Sequence, residues 1–386
     1  MKKDWTYKKL GEICESDLGK TLNSKTDTGE YRPYLCAINV LWDKIDMSTL
    51  KTTKFETSEL ERYSVKKGDL LVCEGGDIGR AAIWNEDEPM QYQNALHRIR
   101  FNGDMLPRFF LMYLHNLKNT GVLDNNYGKG VTIKHLVKSS LLSIPVPVPP
   151  LSEQQHIVSE LDLLQSIIDK QQAQLKEYDN LAQSIFYDMF GDPVANDKGW
   201  NVQPLGMIGK IARGVSKHRP RNAPELLGDY MPFIQTGDIA NSGMYITNCQ
   251  SGYSDLGVAQ SKVWHKGTLC ITIAANIGKC AIMTFDACFP DSVVGFIATP
   301  NKTLTEYVYF YFLWIQQALE DNATGVAQKN INLGILNNMN IPVPPLPLQQ
   351  SFAKKIEAIE KQKADISQSI AETQKLFDYT MDKYFG

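Results

Sequence analysis

Two stretches of the chain carry apolar positions at alternating spacings of four and three. The first row is Ile157, Leu161, Leu164, Ile168, Gln171, Leu175, Tyr178, Ala182, Ile185 and Met189. The second is Phe352, Ile356, Ile359, Lys363, Ile366, Ile370, Thr373, Phe377, Thr380 and Tyr384. Each row holds one register for nearly five heptads with no internal proline or glycine, which predicts two coiled-coil helices. At 1.5 Å per residue each is on the order of 50–60 Å long. A helix of that length with one apolar seam needs a partner, and the other helix is the nearest at hand. Pairing is expected through Ile157, Leu161, Leu164, Ile168, Leu175 and Ile185 on one side and Phe352, Ile356, Ile359, Ile366, Ile370 and Phe377 on the other. Gln171 and Lys363 are polar intrusions suited to fixing register.

Ahead of each helix the pattern is mixed. Short apolar runs read as strands at Gly68–Cys73, Ala81–Trp84 and Leu96–Phe101, and again at Thr268–Ala274, Ala281–Phe285 and Ser292–Ala298. Helix-like stretches follow at Phe109–Leu117 and Tyr307–Leu319. Prolines 145, 147, 149 and 150, and 342, 344, 345 and 347, then fix φ and remove backbone donors, so the chain leaves each mixed segment extended. Ser152-x-x-Gln155 has the form of a capping box for the first long helix.

The matching order of these elements reflects a duplication. Trp5-x4-Leu10-Gly11 recurs as Trp200-x4-Leu205-Gly206, offset by 195 positions. Gly68-Asp69-Leu70 through Ile78-Gly79-Arg80-Ala81-Ala82-Ile83 recurs, offset by 199, as Gly267-Thr268-Leu269 through Ile277-Gly278-Lys279-Cys280-Ala281-Ile282. Val148-Pro149-Pro150-Leu151 with Gln154-Gln155 recurs as Val343-Pro344-Pro345-Leu346 with Gln349-Gln350, and Phe190-Gly191 as Phe385-Gly386. Two long copies are a tandem duplication and not a solenoid, which needs short periods and three or more units. Antiparallel pairing of the helices would relate the copies by a pseudo-two-fold axis without a long tether, and is preferred to parallel pairing.

Composition excludes disordered and collagen-like chains: 43% of the 386 residues are hydrophobic and 22% charged. The N-terminus lacks an apolar signal region and no run is long enough to span a bilayer, so a cytoplasmic protein is expected. Seven cysteines without a C-x-x-C pair suggest free thiols in a reducing compartment, and no spacing suits zinc.

Motifs of catalysis are missing. Gly19-Lys20-Thr21 has the tail of a Walker A loop, but Cys14 stands where its first glycine belongs. No G-x-S-x-G, H-E-x-x-H or GxGxxG occurs, nor an Asn- or Asp-Pro-Pro-aromatic tetrapeptide, nor Glu-x-Lys. A recognition or scaffold role therefore leads, with no catalytic residue and no metal site in this chain.

The net charge of −3 does not by itself suggest a nucleic-acid partner, but its distribution does. Residues 151–196 hold eight acidic and two basic residues, whereas 1–150 and 197–345 are each slightly positive. The densest basic cluster is Arg213, Lys217, His218, Arg219 and Arg221; the same place in the first copy holds Lys20, Thr21, Asn23 and Lys25, with Arg32 beyond. Such loops suit phosphate and base-edge contacts. A second glycine-rich polar loop offers Tyr127, Lys129, Thr132 and Lys134, and in the second copy Thr324, Gln328 and Lys329.

In this order, and twice over, the landmarks resemble the specificity subunits of type I restriction–modification systems, over essentially the whole chain. The Pro-Pro-Leu-x-x-Gln-Gln entry into a heptad helix is the most specific of them. The resemblance implies an α+β fold: two tandem target recognition domains, β-rich with short helices, separated by two long helices forming an antiparallel coiled coil. It places the first recognition domain at 1–150, spacer helix one at 151–192, the second domain at 193–345 and spacer helix two at 346–386. It further implies that the chain is a non-catalytic subunit directing others to an asymmetric bipartite site on double-stranded DNA. The implied partners are two methyltransferase subunits and motor-nuclease subunits. S-adenosylmethionine, ATP and magnesium would be held by those partners. The residues alone leave two other readings open: a cytoplasmic coiled-coil scaffold with two protein-binding modules, and an enzyme with an unrecognised site.

Overall fold

The computed structural model describes residues 5–23, 27–221, 223–274, 277–324 and 332–386. Contacts divide the chain into two units: residues 1–172 with 369–386, and residues 173–368. Both borders fall inside the long helices, so each unit owns the start of one helix and the end of the other.

Besides a small hairpin of Val40–Leu41 with Lys44–Ile45, the strands of the first unit are β1 (Thr6–Lys9), β2 (Cys14–Leu18), β3 (Glu30–Leu35), β4 (Lys51–Phe55), β5 (Ser64–Val65), β6 (Leu70–Cys73), β7 (Ala81–Ile83), β8 (Met90–Tyr92) and β9 (Leu96–Phe101). Helix α1 (Pro107–Asn119) follows, then β10 (Pro145–Val148) and the long helix α2 (Leu151–Phe190). One antiparallel sheet has the order β2-β9-β6-β7 and a second, mixed sheet the order β4-β3-β8-β5. β1 pairs with β10, so Trp-x4-Leu-Gly and the proline run are two sides of one ladder, Thr6 opposite Val148. Prolines are admitted because this ladder has only two strands and exposed edges.

The second unit repeats the plan with β11 (Asn201–Pro204), β12 (Gly209–Arg213), β13 (Leu227–Pro232), β14 (Tyr245–Ile246), β15 (Gly252–Tyr253), β16 (Val263–Trp264), β17 (Leu269–Thr272), β18 (Cys280–Met283), β19 (Ala287–Cys288) and β20 (Val293–Ala298). Helix α3 (Thr305–Thr324), β21 (Asn340–Val343) and helix α4 (Leu346–Phe385) complete it. Its main sheet runs β12-β20-β17-β18-β14, and β11 pairs with β21 as β1 does with β10. The strands expected from apolar runs thus all fall in the two main sheets, as β9, β6 and the edge strand β7 in unit one and as the three central strands β20, β17 and β18 in unit two. The second sheet of unit one, built from shorter and more polar strands, gave no such signal.

The Ile-Gly-Arg/Lys landmark is the turn of a hairpin, β6 to β7 and β17 to β18. Gly79 and Gly278 take φ of 80° and 82°, and their amides bond back to Cys73 and Thr272 at 3.0 Å each. A Cβ on Gly79 would also stand 2.1 Å from Leu123, so glycine is required for conformation and for space.

Each core lies between the main sheet, the short helix and the long-helix pair. In unit one, Leu70, Val72 and Ile99 from the sheet meet Phe109 and Phe110 from α1, which meet Ile157 and Leu161 from α2 and Met381 and Tyr384 from α4. In unit two, Ile271, Val294 and Phe296 meet Tyr307 and Phe310, then Phe186 and Phe190 from the end of α2 and Phe352 and Ile356 from the start of α4. Within each unit the start of one helix packs on the end of the other, so the pairing is antiparallel. The heptad rows are the buried seam: Leu164, Ile168 and Ile359 are buried, while Leu175, Ile185, Ile366, Ile370 and Phe377 are half-buried.

Both polar intrusions find partners across the seam. Gln171 donates to Ser369 Oγ at 2.7 Å. Lys363 Nζ lies 2.7 Å from Asp179 and 2.7 Å from Glu360. Burial opposes the Lys363 charge, but the two carboxylates outweigh it and push its pKa up. One expectation fails: α2 begins at Leu151, so Ser152 lies inside the first turn and does not precede it as a cap.

Candidate nucleic-acid interface

The basic loops are placed unevenly. Lys20, expected among the DNA contacts, is buried. Its side chain is 6% exposed, with Nζ 2.6 Å from Glu59 and 3.6 Å from Asp27 and donating to the Lys54 carbonyl at 2.9 Å. It also lies 5.0 Å from the Phe55 ring centre. A buried ammonium in that setting is a structural tie. Thr21, Asn23 and Arg32 are exposed, Arg32 on β3 beside Glu30 at 2.7 Å. Lys25 lies outside the described residues.

The second loop of unit one is closed by Lys129 and His135, whose amides and carbonyls bond reciprocally at 2.8 and 2.7 Å. Gly130, at φ 109°, makes the turn, leaving Lys129 and Thr132 exposed at its tip. Two of its residues turn inward: Tyr127 packs on the core, and Lys134 Nζ donates to the Asp124 carbonyl at 2.7 Å. In unit two, Gln328 and Lys329 lie outside the described residues, as does the side chain of Thr324, the last residue of α3.

In unit two the arginines gather round a single residue. Arg221 reaches one Asp291 carboxylate oxygen at 2.5 Å and Arg219 the other at 3.1 Å. Arg213 donates twice to the Asp291 carbonyl, at 2.9 and 2.6 Å. Lys217 and His218 are exposed next to them, their amides held by Gln260 Oε1 at 2.6 and 3.0 Å. Arg219 and Arg221 open onto a cleft of about 500 Å³ lined also by Phe233, Gln235, Thr236, Pro290 and Ser292. Two guanidiniums sharing one partly exposed carboxylate keep donor capacity for a phosphate or a guanine edge.

Each unit also has a groove flanked by both long helices. In unit one it measures about 590 Å³ and includes Trp42, Arg108, His115, Gln374, Phe377 and Asp378, with Trp42 and His115 in ring contact at 4.4 Å. In unit two it measures about 220 Å³ and includes Asp179, Ala182, Gln183, Tyr309 and Lys363. Gln374, Phe377 and Asp378 stand 195 positions from Asp179, Ala182 and Gln183, so the grooves are equivalent places in the repeat.

Among the described residues no group of three His, Cys, Asp or Glu side chains is arranged to hold a metal ion, and no helix is long and apolar enough to cross a membrane. The seven cysteines are free thiols, and burial pushes Cys14 and Cys280 up to about 12.

One feature escaped the reading of loops. Gly29-Glu30-Tyr31-Arg32-Pro33-Tyr34-Leu35 and Gly228-Asp229-Tyr230-Met231-Pro232-Phe233-Ile234 stand 199 positions apart, the same offset as the hairpin landmark. That shared offset was the available signal.

The Type I restriction modification DNA specificity domain matches the chain twice, over residues 2–177 and 197–374. The type I restriction enzyme MjaIX specificity subunit of Methanocaldococcus jannaschii is 21% identical over 405 residues, covering 99% of this chain and 92% of that protein. The S subunit of the type I restriction–modification system from M. genitalium has a similar fold, with a TM-score of 0.60 at 14% identity over 99% of this chain and 96% of that one. A chain solved to explain complex assembly and conformational transition of a type I R-M system gives 0.61 at 19% identity, over 99% and 97%.

Proposed function

The chain belongs to the type I restriction–modification DNA specificity family, and from that premise we propose that its two units read the two unlike halves of an asymmetric, bipartite DNA target. It is a DNA sequence-recognition subunit. The observation that carries the bipartite reading is a common frame with unlike surfaces: equivalent sheets and ladders present an arginine cluster on Asp291 in one unit and, in the other, an exposed Lys129–Thr132 loop with Lys20 withdrawn from the surface. Two such surfaces have different donors and acceptors to offer base edges, so they select different sequences.

Chemistry falls to partners. Methyltransferase subunits would bring S-adenosylmethionine, and motor-nuclease subunits ATP and magnesium, in the cytoplasm where the host DNA lies. Two copies of one methyltransferase are supported by the two equivalent helix-flanked grooves, which offer repeated docking places. The chain itself supplies sequence choice and, through its long helices, the interval between half-sites.

The test is to express the chain with its methyltransferase partner in a host free of related systems and sequence the methylated bases. The expected product is one motif of two different short halves around an unread gap. A palindromic or uninterrupted motif, or DNA binding by the assembled complex that does not fall with salt, would overturn the reading.

A further inference from the structure

The seven-residue run that recurs at offset 199 forms a strand in both units, in unbroken register around Tyr31 and with a register shift between Leu227 and Met231 that spans Tyr230. In unit one the Glu30–Pro33 part of β3 pairs with β4 alone and projects as a two-stranded ribbon from the four-stranded sheet, which β8 joins only at Tyr34 and Leu35; in unit two β13 pairs with β15 alone. The end of the run enters the core: Tyr34, Leu35, Phe233 and Ile234 are all buried, which accounts for the aromatic–aliphatic pair. The third residue does not. Tyr31 is 69% exposed and Tyr230 64%, and neither belongs to a core cluster.

A single exposed tyrosine needs no account. The same ring standing out at equivalent places does, because its neighbour differs in kind and setting, Arg32 exposed in one unit and Met231 packed on a core cluster in the other. An exposed carboxylate precedes each ring, Glu30 and Asp229, and cations stand around or near it. Lys54 Nζ lies 5.7 Å from the Tyr31 ring centre, and Arg32 and Lys51 are exposed on the same ribbon. In unit two, Phe233, three residues beyond Tyr230, lines the cleft that Arg219 and Arg221 open onto. A two-stranded ribbon fits the major groove, where a tyrosine ring can pack on a thymine methyl or a sugar and its hydroxyl can reach a phosphate or base edge.

We propose that Tyr31 and Tyr230 are equivalent DNA contacts, one for each half-site, carried into the major groove by the β3–β4 and β13–β15 ribbons. This rests on the bipartite reading above. The test uses the full chain assembled with its methyltransferase subunits on DNA bearing the methylated motif, followed by anisotropy and by interference footprinting of each half. Tyr31→Ala is expected to weaken specific binding about tenfold or more and to lose protection in one half-site only; Tyr230→Ala does so in the other. Met47→Ala and Leu256→Ala, at exposed apolar positions of each unit, should bind as the unaltered chain does. Tyr31→Phe and Tyr230→Phe, which cannot disturb folding through lost bulk, should retain most binding if the ring carries the contact. If the unaltered complex binds no DNA, the bipartite reading falls and this proposal with it. If it binds and both alanine variants match the controls, the proposal alone is overturned. If both tyrosines act on the same half-site, their equivalence is overturned.

Discussion

Gln154 and Gln349, 195 positions apart, close the same joint in the two units. Gln154 Oε1 accepts from the Leu106 amide at the start of α1 at 2.8 Å, and its Nε2 donates to the carbonyls of Asp104 and Pro149, both at 2.8 Å. Gln349 Oε1 accepts from the Leu304 amide at 2.9 Å and from Thr303 Oγ1 at 3.0 Å, and its Nε2 donates to the Pro344 carbonyl at 2.8 Å. Each buried amide ties the proline run, the long helix and the short helix together. Gln154→Leu leaves an N–H and two carbonyls without that partner, costing about 2–4 kcal/mol. Gln154→Glu should do no better, because a carboxylate cannot donate to the two carbonyls. Thermal unfolding checks both, and Gln349→Leu should act alike; unaltered melting would show that the joint adds nothing.

The joint also shows how much was legible. The Pro-Pro-Leu-x-x-Gln-Gln string marked the helix entry, and the heptad rows marked the seam, because repeated spacing survives without knowledge of partners. The role of Gln154 was not legible, since its partners Asp104 and Leu106 lie some 50 positions away. Lys20 misled for the same reason: it read as a loop cation, and Glu59 and Asp27, which bury it, are brought in by the fold. Charge clusters read along the chain cannot show which carboxylate answers them; Asp291, 70 residues from Arg221, is another case.

Asp291 therefore makes a prediction with two signs. Replacing it by asparagine releases Arg219 and Arg221 from their carboxylate. DNA affinity of the assembled complex should rise at low salt, with a steeper dependence on salt. Replacing both arginines by alanine should weaken binding and flatten the slope of log affinity against log salt by up to about 2. Stability should change little, since exposed pairs contribute about 0–1 kcal/mol. Anisotropy titrations at several salt concentrations decide it; equal slopes in all variants would retire this loop.

Acid should weaken unit one through its histidines. His97 is fully buried, with Nε2 2.7 Å from the Leu136 carbonyl and Nδ1 without a partner among the described residues. Burial holds its pKa below the ordinary 6.5. His115, against Trp42, is lowered by burial too. Below pH 6.5 the unfolded chain takes up protons that the folded unit refuses, so stability is full above that value and falls as pH drops toward the folded pKa. The slope is at most about 1.4 kcal/mol per pH unit for each histidine. His97→Asn, which can still donate to Leu136, should flatten the loss between pH 7 and 5 in denaturant melts; an unchanged slope would assign the acid effect elsewhere.

The long helices supply the last prediction. α2 and α4 each run 40 residues without a break, and each crosses from one unit into the other, near Gln172 and Gln368. Those crossings lie where the seam is only half-buried, so added residues there disturb neither core. One extra turn inserted at both places lengthens each helix by about 5.4 Å, which corresponds to about one or two base pairs along DNA. Insertion into only one helix would put the Gln171–Ser369 pair out of register with the Lys363–Asp179 pair and should reduce stability instead. Sequencing the methylated motif checks the double insertion directly: the two halves should keep their bases while the gap between them grows. A motif with the original gap would mean that the helices do not set the interval, and altered bases would mean that the insertion had reached the reading surfaces.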